Sequence, residues 1–355
     1  MNNKYERLGY IDNLRAVLML YGIVVHSLTL GDVSVKEALL YPSSLVRMEC
    51  FFIISGLVAT LFYEKYGALE TFKMRVNRIG IPLLFGIIII VPSANILIKS
   101  YTNQIPITES FNLYISPNLQ FYEDKMSWHL HLWFLIPLLI YTPITLIGKK
   151  ITKAIYTISD KPNIVFLILF LALSSTILRA SYAYTTNTTT LDFSFIIRET
   201  LYQSSFFLLG CILANSKNLF LDFKSNNSLF FSAIVPLIAL SIYFRNSELG
   251  NLLKLASIFN EAIIAFILSS FLIQVFERLG KLDGPVMKIV IRSSYTTYIL
   301  HYLVIYMFAL TYNNFELPSE ILIPFVGLST IICTTLFHKY AVEKNSILSK
   351  LLNGK

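Results

Sequence analysis

The sequence predicts an all-α, polytopic membrane protein of about ten transmembrane helices, with both termini in the cytoplasm. Three observations predict it. Of 355 residues, 55% are hydrophobic and only 14% charged, with a mean hydropathy of +0.63, a balance foreign to soluble globular domains. The apolar residues fall into runs of roughly 17 to 25, the length a helix needs to cross a bilayer. Lys and Arg are divided unequally between alternate connections. One side collects Lys4, Arg7 and Arg15, then Lys65, Lys73, Arg75 and Arg78, and continues through Lys149, Lys150, Lys153 and Lys161, Lys217 and Lys224, and Lys281 to the C-terminal lysines. The other side holds only Lys36, Lys99, Lys125 and Arg245. Basic loops stay in the cytoplasm, so this asymmetry sets the orientation and requires an even number of crossings.

Taken in order, the expected spans lie near 14–31, 44–63, 79–98, 131–148, 164–181, 195–214, 228–244, 252–276, 286–311 and 319–338. Asp12 and Asn13 are candidate caps of the first, and Pro42, Ser43 and Ser44 open the second. The stretch 99–130, with Pro106 and Pro117, is the one long connection. The sixth run is the least apolar because it carries Arg198, Glu199 and Gln203. The opening run has no small-residue cleavage site after it and reads as a retained span. No repeat or low-complexity segment interrupts the pattern, and a single integral membrane domain over 1–355 is expected, without a separate soluble domain.

The net charge is +8 and the isoelectric point about 9.2. Because the basic residues sit in short loops between apolar runs, they mark membrane orientation, and nucleic acid is not an expected partner. Cys50, Cys211 and Cys333 lie far apart inside apolar runs, without metal-ligand spacing, and read as small core residues. Neither a disulfide nor a metal site is expected. The sequence is silent on oligomeric state.

Ionisable groups at membrane depth cost a few kcal/mol unless protein or water surrounds them, so they are the first functional candidates. Arg15 and His26 are eleven positions apart in the first run, or about 16 Å along a helix axis. That is the reach of an extended pantetheine arm, with the arginine at the cytoplasmic mouth and the histidine past the midplane. An orientation charge and a hydrogen-bonded core histidine account for the pair equally well. Lys73, Arg75 and Arg78 in KMRVNR precede the third run on the same side as Arg15. Their forks suit a phosphorylated ligand, and a positive-inside anchor predicts them too. Arg47 and Glu49 place charge inside the second run, while Ser55 and Gly56 are small enough for a neighbouring backbone to approach. The segment Ser127 to Leu135, SWHLHLWFL, holds both tryptophans, Trp128 and Trp133, with His129 and His131 between them. An interfacial aromatic belt explains the tryptophans, and contact with a sugar ring is the functional alternative. Two positions apart, the histidines face different ways and do not make a paired metal site. His301 falls at a depth similar to His26. Arg179, Arg198, Glu199 and Lys254 lie near outer helix ends, either as mutual ion pairs or around an outward-facing polar cavity that meets an anionic acyl group or acceptor.

At these residues the chain resembles the acyltransferase 3 family of integral membrane acyltransferases, especially its glucans biosynthesis protein C, or glucan succinyltransferase, branch. The carriers are Asp12, Arg15 and His26; RMECFFIISG from Arg47 to Gly56; RVNRIGIP from Arg75 to Pro82; HLWFL from His131 to Leu135; and SYTTYILH from Ser294 to His301. Glu49 departs from the small or apolar residue that usually follows RM in related sequences. The resemblance implies a ten-helix fold in the inner (cytoplasmic) membrane. It also implies transfer of an acyl group, succinyl or acetyl, from cytoplasmic acyl-CoA (succinyl-CoA or acetyl-CoA) to a hydroxyl of an extracytoplasmic glycan such as a periplasmic glucan. On that reading His26 is catalytic, with His301 and Glu49 as further catalytic candidates. Arg15, Lys73, Arg75 and Arg78 hold the acyl-CoA, and Arg47, Trp128, His129, His131, Trp133 and Arg198 meet the acceptor or acyl group. The rival from another class is a polytopic transporter of an anionic or sugar-like solute, for which intramembrane charges are equally expected.

Overall fold

The computed structural model describes residues 9–116, 128–185, 193–225, 227–247, 250–280, 284–313, 315 and 317–355. The orientation charges Lys4, Arg7, Lys125 and Lys281, together with Pro117 and Ser127, lie outside these. Every regular element among the described residues is helical. In chain order they are α1 (Gly9–Ser27), α2 (Lys36–Tyr66), α3 (Ala68–Asn103), α4 (Ile107–Ile115), α5 (Leu130–Ile140), α6 (Ile144–Ile158), α7 (Ile164–Thr185), α8 (Phe193–Asn215), α9 (Lys217–Ser225), α10 (Asn227–Arg245), α11 (Asn251–Leu279), α12 (Pro285–Asn313), α13 (Ser319–Val342) and α14 (Ser346–Asn353).

By length and composition, seven helices can each cross a membrane, those built on α1, α2, α3, α7, α10, α11 and α13. Two pairs meet the same test only together. The pair α5 and α6 is bent by 56°, and α8 and α9 by 117°, so the count reaches nine if each pair is one span. The expected ninth run is α12, a 29-residue helix. Ser293, Ser294, Thr296, Thr297 and His301 lower its hydropathy and leave it outside that set.

Several local expectations are corrected. Helix α1 begins at Gly9, so Asp12 lies within its first turn and not at its cap; its carboxylate there opposes the positive end of the helix dipole. Helix α2 begins at Lys36 and carries Pro42 inside it. The expected fourth span breaks where Pro143, which has no N–H to continue the ladder, precedes α6. Helix continues to Asn103 and resumes in α4, shortening the long connection. Cys50 and Cys211 are buried, but Cys333 is exposed on α13.

The residues form two compact units, and α1, α2, α3 and α5 contribute to both. The first takes the chain up to Arg15, Tyr41–Met74 and Pro137–Leu282. Within it α7 packs on α8 and α11, α8 on α6, and α10 on α11. Gly56 on α2 and Gly210 on α8 set the closest approach. A Cβ at Gly56 would overlap the Phe207 carbonyl, and one at Gly210 the Ile53 carbonyl, so two backbones meet where two side chains are missing. Phe206 stacks on Phe266 at 4.4 Å beside this seam.

The second unit takes Ala16–Leu40, Arg75–Ile136 and Asp283–Lys355. Its core gathers Ile23 and Leu28, Ile305 and Ala309 of α12, and Ile323 and Val326 of α13. Helix α3 has two π-turns, Val76–Gly80 and Gly86–Ile90. Each is followed within two residues by a proline, Pro82 and Pro92, whose missing donor and ring clash loosen the preceding ladder. Helix α14 lies against α3 and α12. It ends at Gly354 in the left-handed region, φ +62°, where a Cβ would overlap the backbone of Asn77 and Arg78. Asn353 accepts from the Thr296 hydroxyl at 3.0 Å and ties the same end to α12.

Candidate functional site

The second unit gathers three of the five histidines into one cluster. His26 is the penultimate residue of α1, His131 lies in the 3₁₀ turn opening α5, and His301 is midway along α12. Ring centroids are 5.2 Å apart for His26 and His301 and 4.4 Å for His131 and His301. Tyr302 completes the group. Its hydroxyl hydrogen-bonds His26 Nδ1 at 3.0 Å, and its ring stacks on His131 at 4.8 Å with 12° between planes.

The backbone fixes two tautomers, because a carbonyl only accepts. His131 Nε2 donates to the Ile299 carbonyl at 3.1 Å, and His301 Nδ1 to the Tyr298 carbonyl at 2.6 Å. The Tyr298 hydroxyl donates to the His131 carbonyl and holds that turn to α12. His131 Nδ1 is buried without a hydrogen-bond partner among the described residues. Solvent access separates the three rings. His131 is 5% and His301 1% exposed, whereas His26 is only partly buried. His26 is thus the open edge of a cluster whose other imidazoles are enclosed.

Trp128, His129 and Trp133 belong to the same unit. His129 is buried, donates from Nδ1 to the Leu130 carbonyl at 3.0 Å and meets Trp128 edge to face at 5.2 Å. Outside the spans, Asp32 is held below the usual carboxylate range by the Lys36 ammonium at 2.5 Å. Tyr302 escaped the sequence reading. The signal was present in Tyr298, Tyr302 and Tyr306, four residues apart and therefore on one helix face.

The basic candidates divide between the units. Arg15, over the Phe51 ring at 5.7 Å, and Lys73 belong to the first. Lys73 is exposed and pairs with Glu70 at 2.9 Å. Arg75 and Arg78 belong to the second. Arg75 is buried at the entry of the first π-turn, and Arg78 is exposed inside it.

The first unit holds a separate polar cluster. Glu49 is 7% exposed and accepts from Gln203 Nε2 at 2.9 Å. Glu199 takes Arg198 at 3.1 Å and Arg179 at 3.8 Å, so three of the four charges expected to pair do so, while Lys254 is exposed on α11 and stands outside the group. A cavity of about 270 Å³ opens beside them, lined by Ser44, Leu45, Glu49, Arg179, Glu199, Tyr202, Arg245 and Glu261. Of the four residues expected around a polar cavity, Arg179 and Glu199 line this one, and Arg198 and Lys254 do not. Arg245, read as an orientation charge, and Glu261, which no motif marked, complete its wall. Arg47 lies on α2 of the same unit, partly buried. Among the described residues no group of three His, Cys, Asp or Glu side chains is arranged to hold a metal ion.

A multi-pass helical membrane protein with a cluster of three imidazoles drawn from three helices is the class that fold and site define. Residues 8–339 match the acyltransferase domain of the acyltransferase 3 family, and the chain belongs to that family. Among curated proteins it is similar to glucans biosynthesis protein C of Escherichia coli strain K12 and of Shigella dysenteriae serotype 1, each 29% identical over 232 residues. The match covers 58% of this chain and 58% of those relatives. No solved structure matches.

Proposed function

We propose that the protein moves an acyl group, succinyl or acetyl, from cytoplasmic acyl-CoA to a hydroxyl of an extracytoplasmic glycan such as a periplasmic glucan. Ten crossings of the inner membrane, with α12 among them, leave both termini in the cytoplasm and carry His26 toward the outer face. The observation that supports this reading best is the setting of His26: partly exposed, hydrogen-bonded to Tyr302 and backed by His301. In that role Tyr302 accepts from Nδ1–H, which leaves Nε2 of His26 as the base. It takes the proton of the acceptor hydroxyl as the oxygen attacks the thioester carbonyl; the C–S bond breaks, an ester forms and the proton passes to the CoA thiolate. His301 and His131, with protons committed to backbone carbonyls, act as a wall that orients the ring. Arg75 and Arg78 of the second unit hold the phosphates of CoA, for which one buried and one exposed guanidinium on a single π-turn are a suitable fork. Glu49 serves the acceptor side.

The test is transfer from labelled succinyl-CoA and acetyl-CoA to gluco-oligosaccharides by protein in nanodiscs, paired with mass spectrometry of envelope glycans with and without the gene. His26→Ala is expected to lose at least about a hundredfold in transfer, the span of general-base catalysis, and to keep its fold and CoA binding. Undiminished transfer by that variant removes His26 from the mechanism.

A further inference from the structure

The cavity of the first unit brings three carboxylic side chains and two guanidinium groups together, and its chemistry selects a ligand. We infer that it is a subsite for one uncharged, hydroxyl-rich sugar ring. The inference rests on the glycan reading above and names where such an acceptor is gripped.

The cavity is graded from mouth to floor. Ser44 and Arg245 are exposed, Arg179 and Glu261 are partly buried, and Glu49 and Tyr202 are buried. Both arginines of the lining are held in place by their neighbours. Arg245 donates to Ser44 Oγ at 2.7 Å and lies over the Tyr41 ring at 4.4 Å. Arg179 is likewise fixed over the Tyr202 ring at 4.8 Å while it reaches Glu199 at 3.8 Å. Preorganised donors of this kind lose little freedom when a ligand arrives.

Charge excludes the alternatives. Three carboxylates, Glu49, Glu199 and Glu261, share the wall with two guanidinium groups, Arg179 and Arg245. An anion entering this space meets the carboxylates, and a cation meets the arginines, in surroundings where like charges are poorly screened. An uncharged polyol has no such conflict. Its hydroxyls donate to carboxylate oxygens and accept from guanidinium N–H groups, so both kinds of wall are satisfied together. Acceptor capacity is available at Glu261, which makes no ion pair or hydrogen bond among the described residues, while Glu49 Oε1 accepts from the Gln203 amide. The volume of about 270 Å³ is close to the lower limit of small-molecule sites, about 300 Å³. It takes a single ring and not an extended chain, and a longer glycan would leave through the mouth at Ser44 and Arg245.

The experiment measures binding of a soluble glucose disaccharide to the full protein in nanodiscs by saturation-transfer NMR and calorimetry. The variants are Glu261→Gln, which keeps the shape and removes the charge, and Ser44→Phe, which fills the mouth from an exposed position. Size exclusion and thermal unfolding report that each is folded. Both are expected to weaken disaccharide binding by about tenfold or more, the worth of a charge-assisted hydrogen bond or of a blocked entrance. Succinate and choline, as charged probes, are expected neither to bind the cavity nor to displace the sugar. Wild-type affinity in both folded variants, or displacement by either charged probe, overturns the assignment. Glycan acylation that persists with unchanged acceptor KM in both variants overturns the subsite alone. Failure of the wild-type protein to acylate any glycan while it consumes acyl-CoA overturns the glycan reading on which the subsite depends.

Discussion

Replacing Tyr302 with phenylalanine removes one oxygen from the histidine cluster and leaves its shape. The ring keeps its stack on His131 at 4.8 Å and its contact with His26 at 4.7 Å. What disappears is the 3.0 Å hydrogen bond to His26 Nδ1. Such a bond contributes about 1 kcal/mol net, and about 1.4 kcal/mol is tenfold in rate, so kcat should fall roughly five- to tenfold. Water can replace the lost partner, because His26 is partly exposed, so stability should change little. The assay is initial-rate transfer in nanodiscs with acyl-CoA and oligosaccharide varied independently. If Tyr302 positions His26, kcat falls while both KM values hold. Tyr302→Phe at the wild-type rate would show that the hydroxyl does not position the base. The same variant as inactive as His26→Ala would show that the hydroxyl itself carries the proton, and the division of roles argued above would be wrong.

The seam between α2 and α8 should tolerate no side chain. Gly56→Val drives two methyl groups into the Phe207 carbonyl, a contact relieved only by parting the helices, and should cost about 3 kcal/mol or more, read as a lower thermal midpoint or failure to purify as a single species. At the other end of the chain, Gly354→Val must leave φ +62° and clear the backbone of Asn77 and Arg78. It should disturb the turn that carries Arg78 and raise the KM for acyl-CoA severalfold, and an unchanged KM would separate that turn from the donor. Lys73→Ala should change stability by less than about 1 kcal/mol in chemical or thermal unfolding, since its exposed pair with Glu70 is of the kind worth little.

Much of the architecture is written in hydropathy because membrane helices are selected on a property that is additive along the chain. Seven apolar runs are helices long and apolar enough to cross a membrane, without adjustment beyond their ends. The errors fall where local backbone chemistry overrides the average. A window across 131–148 cannot register that Pro143 stops one helix and starts another. A run that pauses at Pro42 looks like a helix start although the helix passes through it. Conversely, α12 forms a 29-residue helix even though its serines and threonines depress the hydropathy by which a span is recognised.

The candidate site was legible in part for the same reason. An ionisable residue inside an apolar run stands out by itself, so His26, His301, Glu49 and Glu199 were all found from sequence, as was the small pair Ser55 and Gly56. Their partners were not, because those are chosen by depth across helices that are remote in sequence. Gln203 meets Glu49 from 154 positions away, and Ile299 meets His131 from 168. Tyrosines such as Tyr302 are as common at membrane interfaces as at sites, and Glu261 sits alone in its helix with no motif around it. Two polar clusters, each distributed over several helices, are costly to maintain within spans. Simple ion pairing would explain Glu199 with Arg198 and Arg179. It does not explain Glu261, which lines a cavity and makes no ion pair among the described residues, nor a histidine left partly exposed beside two that are enclosed.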